Sequence, residues 1–76
     1  MNPQPLSYLT RAEKETESAA ERLTMQIDGA LVAVAVVSKD YGDLEARADR
    51  LERAARDLSV ALRELSRERR FKASLS

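Results

Sequence analysis

Apolar or small residues recur along this chain at alternating steps of four and three: Thr16, Ala20, Leu23, Ile27, Ala30, Val34, Val37, Tyr41, Leu44, Ala48, Leu51, Ala55, Leu58, Leu62 and Leu65. Steps of four and three return a side chain to the same side of an α-helix, so the pattern predicts helix almost throughout, with one apolar stripe. Pro3 and Pro5 precede the stripe. Proline lacks an amide donor and biases the residue before it toward extended backbone, which makes residues 1–6 an extended lead-in. Thr10-Arg11-Ala12-Glu13 fits a capping box, in which the Thr hydroxyl and the Glu carboxylate each satisfy a backbone N–H; Ser7 offers another cap one turn earlier.

The stripe keeps its phase through Ser38-Lys39-Asp40-Tyr41-Gly42-Asp43, which allows one long coiled-coil helix. The same six residues are also the only place where helix-stopping and helix-starting types cluster, and Asp40 or Asp43 is a candidate cap for a second helix. The change in character across this point favours an all-α fold: a two-helix antiparallel hairpin, broken near residues 38–42. Helix one then covers about 7–38 and helix two about 43–70, together a single domain over 7–70, with residues 71–76 as a frayed tail.

Gly29 to Val37 is apolar on every side, whereas the stripe after the break is narrow and flanked by charge. A lone strand would have no pairing partner there, so helix is retained. Gly29 and Ala33, four apart, permit close approach of another helix or simply mark small-residue packing. Asp43–Arg47, Asp49–Arg53 and Glu52–Arg56 are acid-before-base pairs at helical spacing, as expected of a solvated face. A two-helix hairpin covers one seam but cannot also cover Val32, Val36 and Val60, so one apolar face is left for a partner or for a second copy.

Composition narrows the function. The chain has no Cys and no His, which removes thiol chemistry, the commonest general base and the commonest metal ligand. Gly29 and Gly42 are isolated, so no phosphate-binding loop is formed. The expectation is a protein that is not an enzyme and takes no cofactor. Thirteen basic residues balance thirteen acidic ones, giving no overall field toward nucleic acid or membrane. The longest apolar run, Ala30 to Val37, is far short of the ~20 residues of a membrane-spanning helix. A cytoplasmic protein is expected, either an adaptor that binds another protein or a homodimeric coiled-coil or four-helix-bundle module with a structural or regulatory role. Arg67-Glu68-Arg69-Arg70-Phe71-Lys72 is the one basic cluster; a nucleic-acid contact there competes with the simpler reading of cations complementing a helix C-terminus.

Tyr41, Leu44, Leu51-Glu52, Ala54 and Leu58 form Tyr-x-x-Leu, six residues, then Leu-Glu-x-Ala-x-x-x-Leu. This resembles the opening of the second helix in the YscE-like family of type III secretion proteins, over about a quarter of the chain. Gly42 departs from the Gln common in the family after the Tyr, and the preceding loop is shorter. The resemblance implies a cytosolic hairpin that partners a TPR-like chaperone, the two together holding a needle subunit unpolymerised. It points to the second helix as the binding element, with Tyr41, Leu44, Leu51, Leu58 and Leu62 as partner-contact candidates.

Overall fold

The structure, a computed structural model, describes residues 9–36 and 41–75. It is an antiparallel hairpin of two helices, α1 (Arg11–Ala35) and α2 (Tyr41–Leu75), packed along their lengths, and no strand occurs among the described residues. The single long helix is thereby excluded. Helix α1 starts at the second of the two candidate caps: Thr10 Oγ1 accepts from the Glu13 amide at 3.1 Å, and Glu13 Oε1 accepts from the Thr10 amide at 2.9 Å. Residues 1–6 and Ser7 lie outside the described residues.

The break falls earlier than the sequence suggests. Helix α1 ends at Ala35, where the Val36 amide makes a last bond to the Val32 carbonyl at 3.0 Å. β-Branched valines accumulate there and Ser38 follows, a poor composition for continuing a helix. Gly42 and Asp43 are not in the break but in the first turn of α2, and Asp43 adds a negative charge at the helix start instead of capping it. Val37, Ser38 and the candidate cap Asp40 lie outside the described residues.

The other end needs correction too. Residues 71–75, expected to fray, continue α2, supported by Lys72 beside Glu68 at 3.8 Å and by the Ser74 hydroxyl donating to the Phe71 carbonyl at 2.8 Å. Ser76 is outside the described residues.

The core is thin and made of small side chains. Ala19, Ala33 and Ala54 are its buried residues, and Leu23, Leu51, Leu58 and Leu65 are only half-buried beside them. Alanine between two helices lets their backbones come close, as where the Thr16 hydroxyl reaches the Ala61 carbonyl across the seam at 3.4 Å. The described chain measures 56 × 31 × 13 Å, so in its thinnest direction it is one layer of helices. Among the described residues, no third element lies over either flank of the seam.

Candidate functional site: an apolar flank on the hairpin

Burial fixes the seam as two rows on each helix. In heptad letters, row a is Thr16, Leu23 and Ala30 on α1 and Leu51, Leu58 and Leu65 on α2; row d is Ala19, Gln26 and Ala33 on α1 and Ala54, Ala61 and Glu68 on α2. The sequence stripe held row a correctly on both helices. For the second row it took Ala20, Ile27 and Val34 with Ala48, Ala55 and Leu62, each one residue beyond the row that is inside. Those residues are row e. Between antiparallel helices the two e rows border the same side of the seam and the two g rows border the other. The Arg69–Glu13 ion pair at 3.4 Å joins one e row to the other, as that geometry requires.

Row e is therefore a second apolar stripe, shared by both helices and lying outside. From the open end toward the loop it runs Leu62, Ala20, Ala55, Ile27, Ala48, Val34 and Tyr41. Ile27 is 44% exposed, Leu62 50%, Val34 73% and Tyr41 74%. Leu31, also exposed, sits on the outer edge beside Ile27 and Val34. Near the loop the stripe holds a small, mostly apolar cleft of about 220 Å³ between Ala30, Ala33, Val34, Leu44, Ala48 and Leu51, with Arg47 also on its wall. It is smaller than the ~300–1,000 Å³ of ordinary small-molecule pockets and suits a few side chains of a protein. Beyond Leu62 the flank turns polar at Glu13 and Arg69.

The opposite flank, row g, carries Glu15, Arg22, Gly29 and Val36 on α1 and Asp43, Arg50, Asp57 and Glu64 on α2. Its main groove, about 450 Å³ and open to solvent, is lined by Arg11, Lys14, Arg22, Asp57, Val60 and Glu64 among others. Met25, Val32 and Val36 are exposed at helical spacing on this side of α1, with Gly29 between them, and Val60 is exposed on α2 between Asp57 and Glu64, so Val32, Val36 and Val60 are left uncovered as expected. Arg47 belongs to row d by spacing, but its guanidinium is carried to the charged flank. It donates to Asp43 at 2.9 Å and lies against Gly29, where a Cβ would stand 2.8 Å from Nη1. Gly29 thus makes room for an arginine head, while Ala33 supplies close packing. Asp49–Arg53 and Glu52–Arg56 form no ion pair among the described residues.

The five partner-contact candidates divide. Leu51 and Leu58 are half-buried in the seam against α1, Leu44 stands at its margin with 37% exposure, and Tyr41 and Leu62 are exposed in row e. Sequence reasoning missed Ile27, Val34 and Leu31 as exposed neighbours of Tyr41 and Leu62, having assigned Ile27 and Val34 to the interior. Their bulk against the alanines one position earlier was the available signal.

The open end is polar and cross-linked. Thr10 Oγ1 donates to Glu68 Oε1 at 2.8 Å while accepting from the Glu13 amide, and Glu13 meets Arg69 through its other oxygen. The Glu13 carboxyl is held below its ordinary value, first by the Thr10 amide; slight desolvation opposes this, and Arg69 and Lys72 add to it. In the basic cluster Arg67 meets Glu64 at 2.8 Å, Arg69 meets Glu13 and Lys72 meets Glu68, so most of its positive charge is matched within the hairpin. No helix among the described residues is long and apolar enough to cross a membrane, and no cluster there has the ligands to hold a metal ion.

Comparison with known proteins gives no match to a family model, a characterised protein or a solved structure.

Proposed function

We propose that this chain is a small helical adaptor or co-chaperone that docks a larger helical-repeat protein through row e and the loop-end cleft. In its specific form, the partner is a TPR-like chaperone, and the two keep a type III secretion needle subunit unpolymerised in the cytosol. The observation that carries the reading is the exposed row from Leu62 to Tyr41 on a hairpin one helix thick. Such a surface places aromatic and aliphatic anchors around a cleft, with a polar rim at Glu13 and Arg69, the arrangement of protein-binding faces. The motif at residues 41–58 supports the narrower assignment.

The test is co-expression with a TPR-like chaperone and a needle subunit from the same genome. A complex should survive gel filtration, and the needle subunit should remain unpolymerised only when both other chains are present. Tyr41→Ala with Leu62→Ala should release the complex without changing the helix signal of the free chain. Needle-subunit behaviour that is the same with and without this chain would sink the co-chaperone reading.

A further inference from the structure

We infer that the free chain pairs with a second copy of itself through row e, forming a four-helix bundle whose two-fold axis runs parallel to the hairpin's long axis. The order of the row along the molecule decides the pairing. Thr10 meets Glu68 and Thr16 meets Ala61, so residues whose numbers sum to roughly 78 stand at the same height on the two helices. By that rule Leu62 lies between Glu13 and Ala20, Ala55 between Ala20 and Ile27, Ala48 between Ile27 and Val34, and Tyr41 beyond Val34.

A two-fold axis parallel to the helices keeps every residue at its own height and sets α1 of one copy against α2 of the other. Every neighbouring pair in the bundle is then antiparallel. Ile27 and Val34 of one copy enter the shallow places made by Ala48 and Ala55 of the other, and Leu62 enters beside Ala20. Charge agrees with this register. Glu13 and Arg69 are already 3.4 Å apart within the chain, so stacking places each Glu13 near the other copy's Arg69 and closes a ring of alternating charge. The reverse orientation sets Glu13 and Arg69 against Val34 and Tyr41 and leaves charges facing an apolar surface. The row g flank does not offer the same fit, since Met25, Val32 and Val36 lie on α1 alone and row g of α2 carries Asp43, Arg50, Asp57 and Glu64.

The area is sufficient. From Tyr41 to Leu62 the face is about 30 Å long at 1.5 Å per residue and about 20 Å wide across two helices, or roughly 600 Å² of projected face per copy. That approaches the ~800 Å² per partner of a standard stable interface before side-chain relief is added. The pairing holds independently of the proposed partner, which would bind by displacing the second copy.

Sedimentation equilibrium of the purified chain over a hundredfold concentration range should give twice the monomer mass at the upper end. Val34→Glu and Leu62→Glu should each weaken the dimer at least tenfold with the helix signal retained, and Val60→Glu on the other flank should leave it unchanged. Register is read separately, because the chain has no cysteine of its own. An equimolar mixture of Val34→Cys and Ala48→Cys chains should form a mixed disulfide, and a mixture of Val34→Cys and Leu62→Cys chains should not. Should a glutamate variant unfold, the disulfide pattern still decides. A monomer at every concentration, loss of the dimer in Val60→Glu alone, or the Val34–Leu62 disulfide in place of the Val34–Ala48 one would each overturn the proposal.

Discussion

The two flanks of the seam are built on the same pair of helices and the same heptad, yet one reads Leu, Ala, Ile, Val, Tyr and the other is mostly Glu, Arg and Asp. On the charged flank Arg47 crosses over to pair with Asp43, Glu15 meets Arg11 and Glu64 meets Arg67, and the apolar run of Met25, Val32 and Val36 is confined to α1. The apolar flank has no such internal solution. With only alanines fully inside, the seam leucines stay half-buried, Ile27, Val34 and Leu62 line one outer edge, and Val32, Val36 and Val60 stand exposed on the other side. A helix pair with only its smallest residues fully inside leaves larger apolar ones on its surface, and that exposed surface is the ground of the docking proposed above.

The largest effect that would break this contrast comes from the seam shared by both flanks. Ala54→Leu forces a long side chain between closely packed helices and is expected to cost ~1–3 kcal/mol, lowering the melting temperature and disturbing both flanks together. Leu58→Ala, at a half-buried seam position, should cost about 1–2 kcal/mol, below the ~2–5 kcal/mol of a fully buried leucine. Thermal melts followed by circular dichroism, at a concentration where association is saturated, check both. If Leu58→Ala left stability unchanged and only weakened association, Leu58 would belong to the binding surface instead of the seam.

A smaller change, of opposite sign, separates the charged flank from the apolar one. Gly29→Ala meets only the flexible end of Arg47, while replacing glycine inside a helix gains up to ~1 kcal/mol. The variant should melt slightly higher and keep the same self-association, whereas a lowered melting temperature would mean that the guanidinium cannot move aside. The smallest expected effect is at the open end. Because the Glu13 carboxyl is depressed in the folded chain, its contribution is fully present above the ordinary glutamate value of about 4.5 and is lost as pH falls through the lowered folded value. Amide protection in the first turn of α1, taken relative to the intrinsic exchange rate at each pH, should therefore fall in acid before that of the seam, and Glu13→Gln should remove most of that pH dependence.

Much of this fold is legible in the sequence, for identifiable reasons. Thr10 and Glu13 stand at the spacing their reciprocal bonds require, Asp43 and Arg47 at the spacing of an ion pair, and row a is apolar or small on both helices. The second row is not legible from hydrophobicity. Ile27, Val34 and Leu62 outrank Gln26, Ala33 and Ala61 on any scale of apolar transfer, so a pattern that seeks the greasiest stripe turns inward the residues that face out. Close approach of two helices rewards smallness instead, and no single helix reports how near its neighbour will come. The helical tail is hidden because the stripe ends at Leu65, although Glu68, Lys72 and Ala73 suit a helix that needs no apolar stripe to continue.

The constant-sum pairing of the helices also has a kinetic consequence. Contacts near the loop, such as that joining Val34 to the Leu44 region, close a segment of about ten residues, whereas Thr16–Ala61 closes 45 and Thr10–Glu68 closes 58. Since the entropy of closure rises with the logarithm of length, the chain is cheapest to join at the turn and each later contact extends a segment already closed. Folding should proceed as a zipper from the Ala33–Leu44 cleft, at the microsecond-to-millisecond speed of local helical topologies. The hydrogen-bonded cluster of Thr10, Glu13, Glu68 and Arg69 is then the clasp that closes last and opens first.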